Sequence, residues 1–377
     1  MKNDRVTSMR YETFIEEYNA VKVYNEIKTI YAPIIRNIDR GVYIWGTGKL
    51  GKYVKQQCEK NDINVIGFID NNAGKWGEEK TCSADVLQAN AIVIIASISY
   101  SEIAKQIDGL NRGIKHIYYE VLAKIDNRFE VYYPGFVNLF EEMEEHKQEY
   151  INILSMCADV ISYEVLGNIL MYRMTLDTSY IEEAYKISVQ HGKQDFDEVI
   201  TDRINENTTF CDVGGFDGDT TEQYLKLFPN ARKIFFFEPD YEVMKMAKEK
   251  LNNHKQIQYI NAAVGEKNTT GYLNAIGGGA SSVGMEGDYE IEIVSLGQFI
   301  KQSNTYVKMD IEGYEALAIK GAEIAIKTYK PFLGISLYHI PGDIHKLIKQ
   351  VMTYRPDYKL YVRHYTLSYA DTLGYFV

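Results

Sequence analysis

The run Thr209–Thr220, TFCDVGGFDGDT, decides the fold of the C-terminal half of this 377-residue chain. Its first residues are typical of a buried strand. Three glycines follow within the run: Gly214, Gly215 and Gly218. Glycine tolerates turn conformations and lets a ligand approach the backbone closely. Residues 219–228 then have apolar side chains at helical spacing. The stretch predicts a strand, a glycine-rich ligand turn and a helix.

Three carboxylates surround the glycine turn: Asp212, Asp217 and Asp219. They would repel the diphosphate of a dinucleotide, but they suit a ligand with a cationic end. S-adenosylmethionine, with its amino and sulfonium groups, is such a ligand. We therefore expect these acids, the three glycines and Thr220 to contact that cofactor. Asp219 and Thr220 can also cap the helix. A solvated Asp/Gly turn is the alternative for this motif taken alone.

Two further strand ends add partners for a nucleoside. Lys233–Pro239, KIFFFEP, is an apolar run that ends near Glu238. An acid at this spacing after a glycine turn typically binds both ribose hydroxyls. Ile257–Val264, IQYINAAV, is a third apolar run, in which the Asn261 side chain and the Ala262 backbone could read an adenine edge. Three consecutive strand ends thus predict one nucleoside site.

These motifs together resemble one family. The segments DVGGFDGDT, FFFEPD, INAAVG and VKMDIEGYEALAIKGA are similar to the FkbM-type S-adenosylmethionine-dependent methyltransferases. The family marker is Asp-x-Glu-Gly, which corresponds here to residues 310–313, and the resemblance covers about residues 195–377. It implies a seven-stranded class I methyltransferase sheet. It also implies a cofactor contact for Ser282, because the family commonly has a serine pair at this place.

The catalytic residues are expected at the carboxyl edge of the second sheet, where open α/β sheets bind ligands. Methyl transfer is an in-line displacement, so the enzyme mainly positions the reactants. His339 is the predicted general base, because imidazole titrates near neutral pH. Asp310 and Glu312 are predicted to orient the cofactor amine or the acceptor. Together with His339 they could hold a divalent ion, but two carboxylates and one histidine are few ligands, and a metal is not favoured.

The N-terminal part contains a second glycine motif. Residues 41–51, GVYIWGTGKLG, place Gly46, Gly48 and Gly51 between a predicted strand and helix, and Asp70 ends the next strand. This is the dinucleotide-type fingerprint in its expected context. With the FIDNN run that follows, the segment resembles the N-terminal nucleotide-binding domains of nucleotide-sugar-modifying enzymes. A purely structural domain remains the alternative.

The whole chain reads as an α/β protein with two Rossmann-like open sheets joined by a helical connector. We predict a Rossmann-like domain with a leading helix at 1–124, the connector at 125–200 and a class I methyltransferase domain at 201–377. The glycine-rich segment within residues 272–288 could be a mobile lid or a surface connection.

Composition limits the possible partners. The formal net charge of −11 argues against a nucleic-acid binder. The first residues lack the apolar core of a signal peptide, and no stretch is long enough to span a bilayer, so a cytoplasmic location is expected.

The leading hypothesis is an O-methyltransferase for a hydroxyl of a sugar, nucleotide-linked sugar or glycan precursor, in a protein that could form a homo-oligomer. The alternatives are a two-domain nucleotide-sugar-modifying oxidoreductase and a non-catalytic nucleotide-binding protein.

Overall fold

The computed structural model describes residues 4–72, 74, 80–274, 282–284 and 286–377, and of residues 4–10 and 282 the backbone alone. The centre of the predicted lid, residues 275–281, lies outside these ranges. The chain divides into two compact units. The first unit comprises Met1–Gln148, Asn168–Glu183 and Thr366–Ala370, and the second comprises Glu149–Gly167, Ala184–Tyr365 and Asp371–Val377. This division differs from the predicted boundaries at 124 and 200, because the predicted connector contributes helices to both units.

The described helices and strands alternate in both units. The helices are α1 (Asp4–Glu17), α2 (Ala20–Ile35), α3 (Lys49–Lys60), α4 (Tyr100–Gly109), α5 (Tyr119–Ile125), α6 (Leu139–Glu145), α7 (Lys147–Met156), α8 (Val160–Thr175), α9 (Thr178–Ser188), α10 (Glu198–Thr201), α11 (Asp219–Leu227), α12 (Tyr241–Lys250), α13 (Glu315–Gly321), α14 (Glu323–Tyr329) and α15 (Asp343–Tyr354). The strands are β1 (Val42–Trp45), β2 (Val65–Ile69), β3 (Thr81–Cys82), β4 (Ile92–Ile95), β5 (Lys115–Tyr118), β6 (Gly192–Lys193), β7 (Phe196–Asp197), β8 (Thr209–Val213), β9 (Lys233–Phe237), β10 (Ile257–Ile260), β11 (Ala263–Gly265), β12 (Thr269–Asn274), β13 (Ser282–Gly284), β14 (Tyr289–Ser295), β15 (Thr305–Met309), β16 (Phe332–Ser336), β17 (Leu360–His364) and β18 (Thr372–Phe376).

The first unit contains a five-stranded sheet in the order β3-β2-β1-β4-β5. All four pairings are parallel. Strand β4 is buried along its whole length, as a strand covered by helices on both faces must be. The order reverses direction at β1, which is the pattern of a doubly wound open sheet. The predicted open α/β sheet of the N-terminal half is therefore present.

The second unit contains a seven-stranded sheet in the order β10-β9-β8-β15-β16-β18-β17. Strand β18 runs antiparallel to both of its neighbours, and the other pairings are parallel. The predicted seven-stranded sheet is confirmed, and its last two strands form an antiparallel pair. Its central strands β8 and β15 are buried at every position, so their carboxyl ends form a rigid edge.

One side of this sheet is packed with aromatic rings. Phe210 of β8 stacks on Tyr224 of α11 with ring centroids 4.3 Å apart, and on Tyr306 of β15 at 5.5 Å. Phe196 of β7 packs against the same rings, as a packing residue rather than a ligand contact. These rings fix α11, and hence the glycine turn before it, against β8 and β15.

A smaller four-stranded sheet, β11-β14-β12-β13, belongs to the second unit and has its own apolar cluster of Ala263, Leu273, Ile291 and Ile293. Among the described residues, none of the helices combines the length and apolar character that a membrane span requires.

Candidate active site

The glycine turn after β8 has a backbone that other residues would not accept. Gly214 and Gly218 have φ angles of +77° and +86°. A Cβ at Gly214 would collide with the carbonyl oxygen of Asp310, and one at Gly215 would collide with the Phe236 ring. Gly218 is the N-cap of α11, so the helix begins one residue earlier than a cap at Asp219 would require and two residues earlier than a cap at Thr220 would. The turn therefore lies close against the end of β15.

Asp212 lies beneath this turn and is fully buried. Its Oδ2 accepts a hydrogen bond of 2.6 Å from Thr221 Oγ1, and its Oδ1 lies 3.4 Å from Lys308 Nζ. Lys308 also donates to the Gly214 carbonyl oxygen at 2.7 Å. Burial raises the pKa of Asp212. Burial opposes the charge on Lys308 as well, but the carboxylates of Asp212 and Asp310 raise the lysine's pKa above its usual range. Asp212 therefore supports the turn and pairs with a charged lysine.

Glu238 follows β9 and is 8% exposed. Its Oε2 accepts from the backbone N–H of Phe216 at 3.2 Å, and its Oε1 accepts from that of Asp240 at 2.8 Å. Burial raises the pKa of Glu238 to about 7, against the effect of these two hydrogen bonds. Each carboxylate oxygen keeps a lone pair, so the group can still accept two hydroxyl protons.

Asn261 and Ala262 follow β10 beside Glu238. The Asn261 side chain is exposed, and its Nδ2 donates to the carbonyl oxygens of Glu238 at 2.8 Å and Pro239 at 3.1 Å. The Ala262 N–H donates to the Ile260 carbonyl oxygen at 2.9 Å. The predicted adenine contacts thus hold the chain in place, and the Asn261 amide oxygen is the group that could face a ligand.

The family-marker turn after β15 is strained. Glu312 has φ +56° and Gly313 has φ +95°, and a left-handed conformation is uncommon for a residue with a side chain. The backbone N–H of Ile311 donates to Oε1 of Glu315, the first residue of α13, at 2.9 Å. This contact ties the turn to the helix start and presents Glu312, whose side chain is 38% exposed.

His339 lies below this turn with its side chain 6% exposed, and carboxylates approach both of its ring nitrogens. Nδ1 is 3.0 Å from Glu315 Oε1, and Nε2 is 3.3 Å from Asp310 Oδ1 and 3.6 Å from Glu312 Oε2. Burial opposes a charge on the imidazole, but these carboxylates, Glu315 first, raise the pKa of His339 to about 10. The surrounding carboxylates thus favour the charged form of the ring, while neither ring nitrogen makes a hydrogen bond among the described residues.

The two carboxylates above the imidazole differ in charge. Burial opposes ionisation of Asp310, but His339 and Lys308 hold its pKa below the usual range. Tyr338 Oη also donates to Asp310 Oδ1 at 3.2 Å. For Glu312, burial raises the pKa to about 7, and Asp310 and Glu315 contribute in the same direction. Asp310 is thus a fixed anion, whereas Glu312 titrates near neutral pH.

The same cluster is the candidate metal site of the second unit. Asp310, Glu315 and His339 can each offer one donor atom within 4.8 Å of the others. The nearest oxygens of the two carboxylates lie at different ring nitrogens, and neither nitrogen makes a hydrogen bond among the described residues.

A cleft of about 700 Å³, counting the part open to solvent, lies at the carboxyl edge of the seven-stranded sheet. Five of the predicted site residues line it: Gly214, Glu238, Ala262, Asp310 and Glu312. The described lining also includes residues that the sequence analysis did not select: Val213, Phe216, Phe237, Pro239, Asp240, Val243, Ala263, Val264, Val283, Ile311 and Tyr314.

The other predicted cofactor residues are not part of the described lining. Asp217 pairs with Lys250 Nζ at 3.2 Å, and Asp219 is exposed at the start of α11. Thr220 follows in the first turn of that helix and donates its N–H to Asp219. Ser282 begins β13, but its side chain lies outside what the structure describes.

Three of the residues that sequence reasoning did not select were missed for identifiable reasons. Lys308 is a lysine within the apolar strand β15, which was a visible signal. Phe216 lies in the glycine turn with a φ of +47°, a conformation that its bulky side chain does not suggest. Glu315 contacts His339 only because α13 and the end of β16 are brought together by the fold.

The glycine motif of the first unit has the expected strand-to-helix context. Gly46 has φ +116°, and a Cβ at Gly51 would collide with the Gly46 carbonyl oxygen. Gly48 is the N-cap of α3. Asp70 accepts from Thr47 Oγ1 at 2.5 Å and from the N–H of Asn72 at 2.9 Å. Its carboxylate thus contacts both the glycine loop after β1 and the loop after β2. Nucleotide binding by this motif stays a prediction.

Comparisons with known proteins agree with this geometry. Residues 212–359 match the family model described as "Methyltransferase FkbM domain". The crystal structure of Methyltransferase FkbM from Methylobacillus flagellatus KT superposes with a TM-score of 0.72 at 19% identity, over 95% of this chain and 99% of that one. At that identity the likeness concerns the fold. A comparison with curated proteins gave no match.

Two further solved structures match about half of the chain with low scores. An rRNA methylase from Streptococcus thermophilus gives a TM-score of 0.31 at 11% identity, over 47% of this chain and 89% of that one. Aeropyrum pernix fibrillarin, solved with natively bound S-adenosyl-L-methionine, gives 0.31 at 12% identity, over 46% and 68%.

The seven-stranded sheet and the cleft at its carboxyl edge define the second unit as a class I methyltransferase fold. The family match makes the assignment specific. Residues 212–359 match the model of the methyltransferase FkbM domain, and this match supports an S-adenosylmethionine-dependent methyltransferase.

Proposed function

We propose that the protein transfers the methyl group of S-adenosylmethionine to a hydroxyl of a sugar, nucleotide-linked sugar or glycan precursor. The observation that carries this proposal is that Glu238 and the Asp310–Glu312 turn line the same cleft. One carboxylate suits the ribose of a nucleoside, and the turn provides charged groups beside which a hydroxyl can react. When bound, the cofactor supplies an electrophilic methyl group.

The cleft residues fit the cofactor chemically. Gly214 lines the cleft, and Glu238 can accept both ribose hydroxyls. Because Lys308 neutralises Asp212, the attraction for a cationic sulfonium and ammonium comes from Asp240, Asp310 and Glu312, which line the cleft. The acids proposed to attract the cofactor therefore differ from those predicted from the sequence. The attraction is still that of negative side chains for a cationic ligand.

The acceptor class rests on the family resemblance and on the chemistry of the turn. A hydroxyl becomes a good nucleophile only when its proton is removed, and Asp310, Glu312 and His339 form a proton-handling group beside the cleft. Gly46, Gly48, Gly51 and Asp70 of the first unit are proposed to bind the nucleotide part of an acceptor. The protein is proposed to act in the cytoplasm.

The test is a methyl-transfer assay with the full chain. Purified protein is incubated with S-adenosylmethionine and a panel of free sugars, nucleotide-linked sugars and amine acceptors, and products are identified by mass spectrometry. We expect a sugar to gain one methyl group and S-adenosylhomocysteine to accumulate. Methylation of amines alone, or stabilisation of the protein by NADH but not by S-adenosylhomocysteine, would contradict the proposal.

A further inference from the structure

Three buried atoms beside the cleft have no hydrogen-bond partner within the described ranges: both ring nitrogens of His339 and the Oε2 atom of Glu315. The His339 side chain is 6% exposed and Glu315 is 1% exposed, so solvent hardly reaches them. Buried polar groups are normally hydrogen-bonded, and buried charges are normally paired or bound to a metal ion. These atoms therefore require a partner that the described part of the chain does not supply.

A proton on the ring does not satisfy these atoms. The nearby carboxylates favour a charged ring, and an imidazolium donates hydrogen bonds from both nitrogens. Glu315 Oε1 and Asp310 Oδ1 are close enough to accept them, at 3.0 Å from Nδ1 and 3.3 Å from Nε2 of His339. Neither contact has the geometry of a hydrogen bond, however. The ring and the two carboxylates are thus gathered at contact distance without bonding to one another.

The same three side chains have the spacing of metal ligands. Asp310, Glu315 and His339 can each offer one donor atom, and these atoms lie within 4.8 Å of one another. Ligands on opposite sides of one divalent cation are about 4–5 Å apart, and neighbouring ligands are closer, so one ion can contact all three. Carboxylate oxygen and imidazole nitrogen both bind divalent metals. The two carboxylates also balance the charge of such an ion.

The fold supplies a ligand that the sequence analysis did not select. Asp310 follows β15, Glu315 begins α13 and His339 follows β16. The turn between the first two contains Glu312 in a left-handed conformation. Glu315 Oε1 accepts the hydrogen bond from the Ile311 N–H, which leaves the Oε2 atom for an ion. The set predicted from the sequence contained two carboxylates and one histidine, and Glu315 adds a third, buried carboxylate.

The site lies next to the cleft. Asp310 and Glu312 line the cleft, and the Glu312 side chain is 38% exposed, with its Oε2 atom 3.6 Å from His339 Nε2. An ion in contact with Asp310 can therefore take further ligands from the cleft side: water, Glu312 or the oxygen of an acceptor. Lys308 of β15 does not replace this ion, because its ammonium is paired with Asp212.

We propose that Asp310, Glu315 and His339 bind one divalent cation and that this ion binds the acceptor oxygen. The site itself does not depend on the proposed function, but its catalytic role does. A hydroxyl bound to a divalent ion loses its proton more readily, because the ion stabilises the oxygen anion. The acceptor oxygen bonds to the methyl carbon while the carbon–sulfur bond breaks. The electron pair of that bond stays on sulfur, and the hydroxyl proton passes to solvent.

The first measurement is metal binding, which does not require activity. The full chain is treated with chelator, dialysed and titrated with Mn²⁺, and electron paramagnetic resonance measures the free ion. Glu315→Gln and His339→Asn should each weaken Mn²⁺ binding by at least about tenfold, as is usual when a metal site loses a supporting group. Glu315→Asp should retain part of the affinity. Competition with Mg²⁺ and Zn²⁺ identifies the preferred ion.

Glu323→Gln is the matched control for Glu315→Gln. Glu323 is likewise the first residue of a helix, α14, and it pairs with Lys327 instead of a histidine. We expect its Mn²⁺ affinity to equal that of the unmodified chain. Absence of binding by Mn²⁺, Mg²⁺ and Zn²⁺, or unchanged Mn²⁺ affinity in both Glu315→Gln and His339→Asn, would overturn the proposal.

The second measurement uses the unmodified chain, so it decides even if the variants do not fold. The protein is labelled with ¹⁵N-histidine and loaded with Mn²⁺, and pulsed electron paramagnetic resonance detects nitrogen bound directly to the ion. We expect coupling to an imidazole nitrogen. Absence of this coupling in Mn²⁺-loaded protein would overturn the assignment of His339 as a ligand.

Activity separates the metal site from the proposed function. Removal of the ion should lower kcat by at least about 100-fold, because the ion stabilises the charge that develops on the acceptor oxygen. Added Mn²⁺ should restore kcat in the unmodified chain and in Glu323→Gln, but not in His339→Asn. Full activity of the metal-free protein would overturn the catalytic role of the ion. Absence of S-adenosylhomocysteine binding by Mn²⁺-loaded protein would instead contradict the proposed function.

Discussion

At the scale of single residues, the cleft depends on carboxylates that the fold has already engaged. Glu238 accepts two backbone hydrogen bonds, and burial raises its pKa to about 7. Asp212 is paired with Lys308. Only some of the acids around the glycine turn are therefore available to a ligand. Their ionisation, rather than their number, determines how strongly the cleft attracts a cation.

Glu238 gives a prediction in which pH matters. If ribose hydroxyls donate to its ionised form, S-adenosylhomocysteine should bind more tightly as pH rises from 6 to 8, by about tenfold for a pKa near 7. In Glu238→Gln the affinity should be roughly tenfold weaker at pH 8, because a charge-assisted hydrogen bond is lost, and nearly independent of pH. Calorimetric titration measures both. Glu242→Gln, an exposed acid in the first turn of α12, is the control. A pH dependence retained in Glu238→Gln would contradict this role.

At the scale of elements, the strand ends could be predicted and their side-chain partners could not. The apolar runs of β8, β9 and β15 fixed the positions of Glu238 and Asp310, since a parallel strand must end at the same edge as its neighbours. The partner of Asp212 could not be derived, because it comes from β15, which lies far away in sequence. Lys308 and Asp212 are register partners across these two strands. Helical spacing likewise located α13 but not the contact of Glu315 with His339.

The pairing of β8 with β15 predicts a strong stability coupling. Lys308→Met should lower the free energy of unfolding by about 3–5 kcal/mol, because it leaves Asp212 buried without a cation. The double variant Asp212→Asn with Lys308→Met should be more stable than the sum of the single effects predicts. Urea denaturation of the four proteins at pH 7 measures the coupling. Additive effects would contradict a buried ion pair at this position.

At the scale of the whole molecule, the sequence predicted two open sheets, and both are present. The predicted connector is not a separate part, because its helices contain apolar positions that pack with one unit or the other. Helical periodicity shows that a face is buried but not against which sheet. Ser282 illustrates a different limit of prediction from the sequence. Its predicted role came from the family resemblance, and its side chain is not among those described. The two glycine motifs have the same local structure, a strand followed by a glycine turn and a helix. They differ in the residues that contact each turn.

The central claim is that the cleft beside Glu238 binds the cofactor nucleoside. The most direct measurement is a crystal structure of the protein soaked with saturating S-adenosylhomocysteine. The account predicts the nucleoside in this cleft, with both ribose hydroxyls at hydrogen-bond distance from the Glu238 carboxylate and the sulfur directed toward the Asp310–Glu312 turn. An empty cleft, or a nucleoside bound elsewhere on the chain, would contradict it.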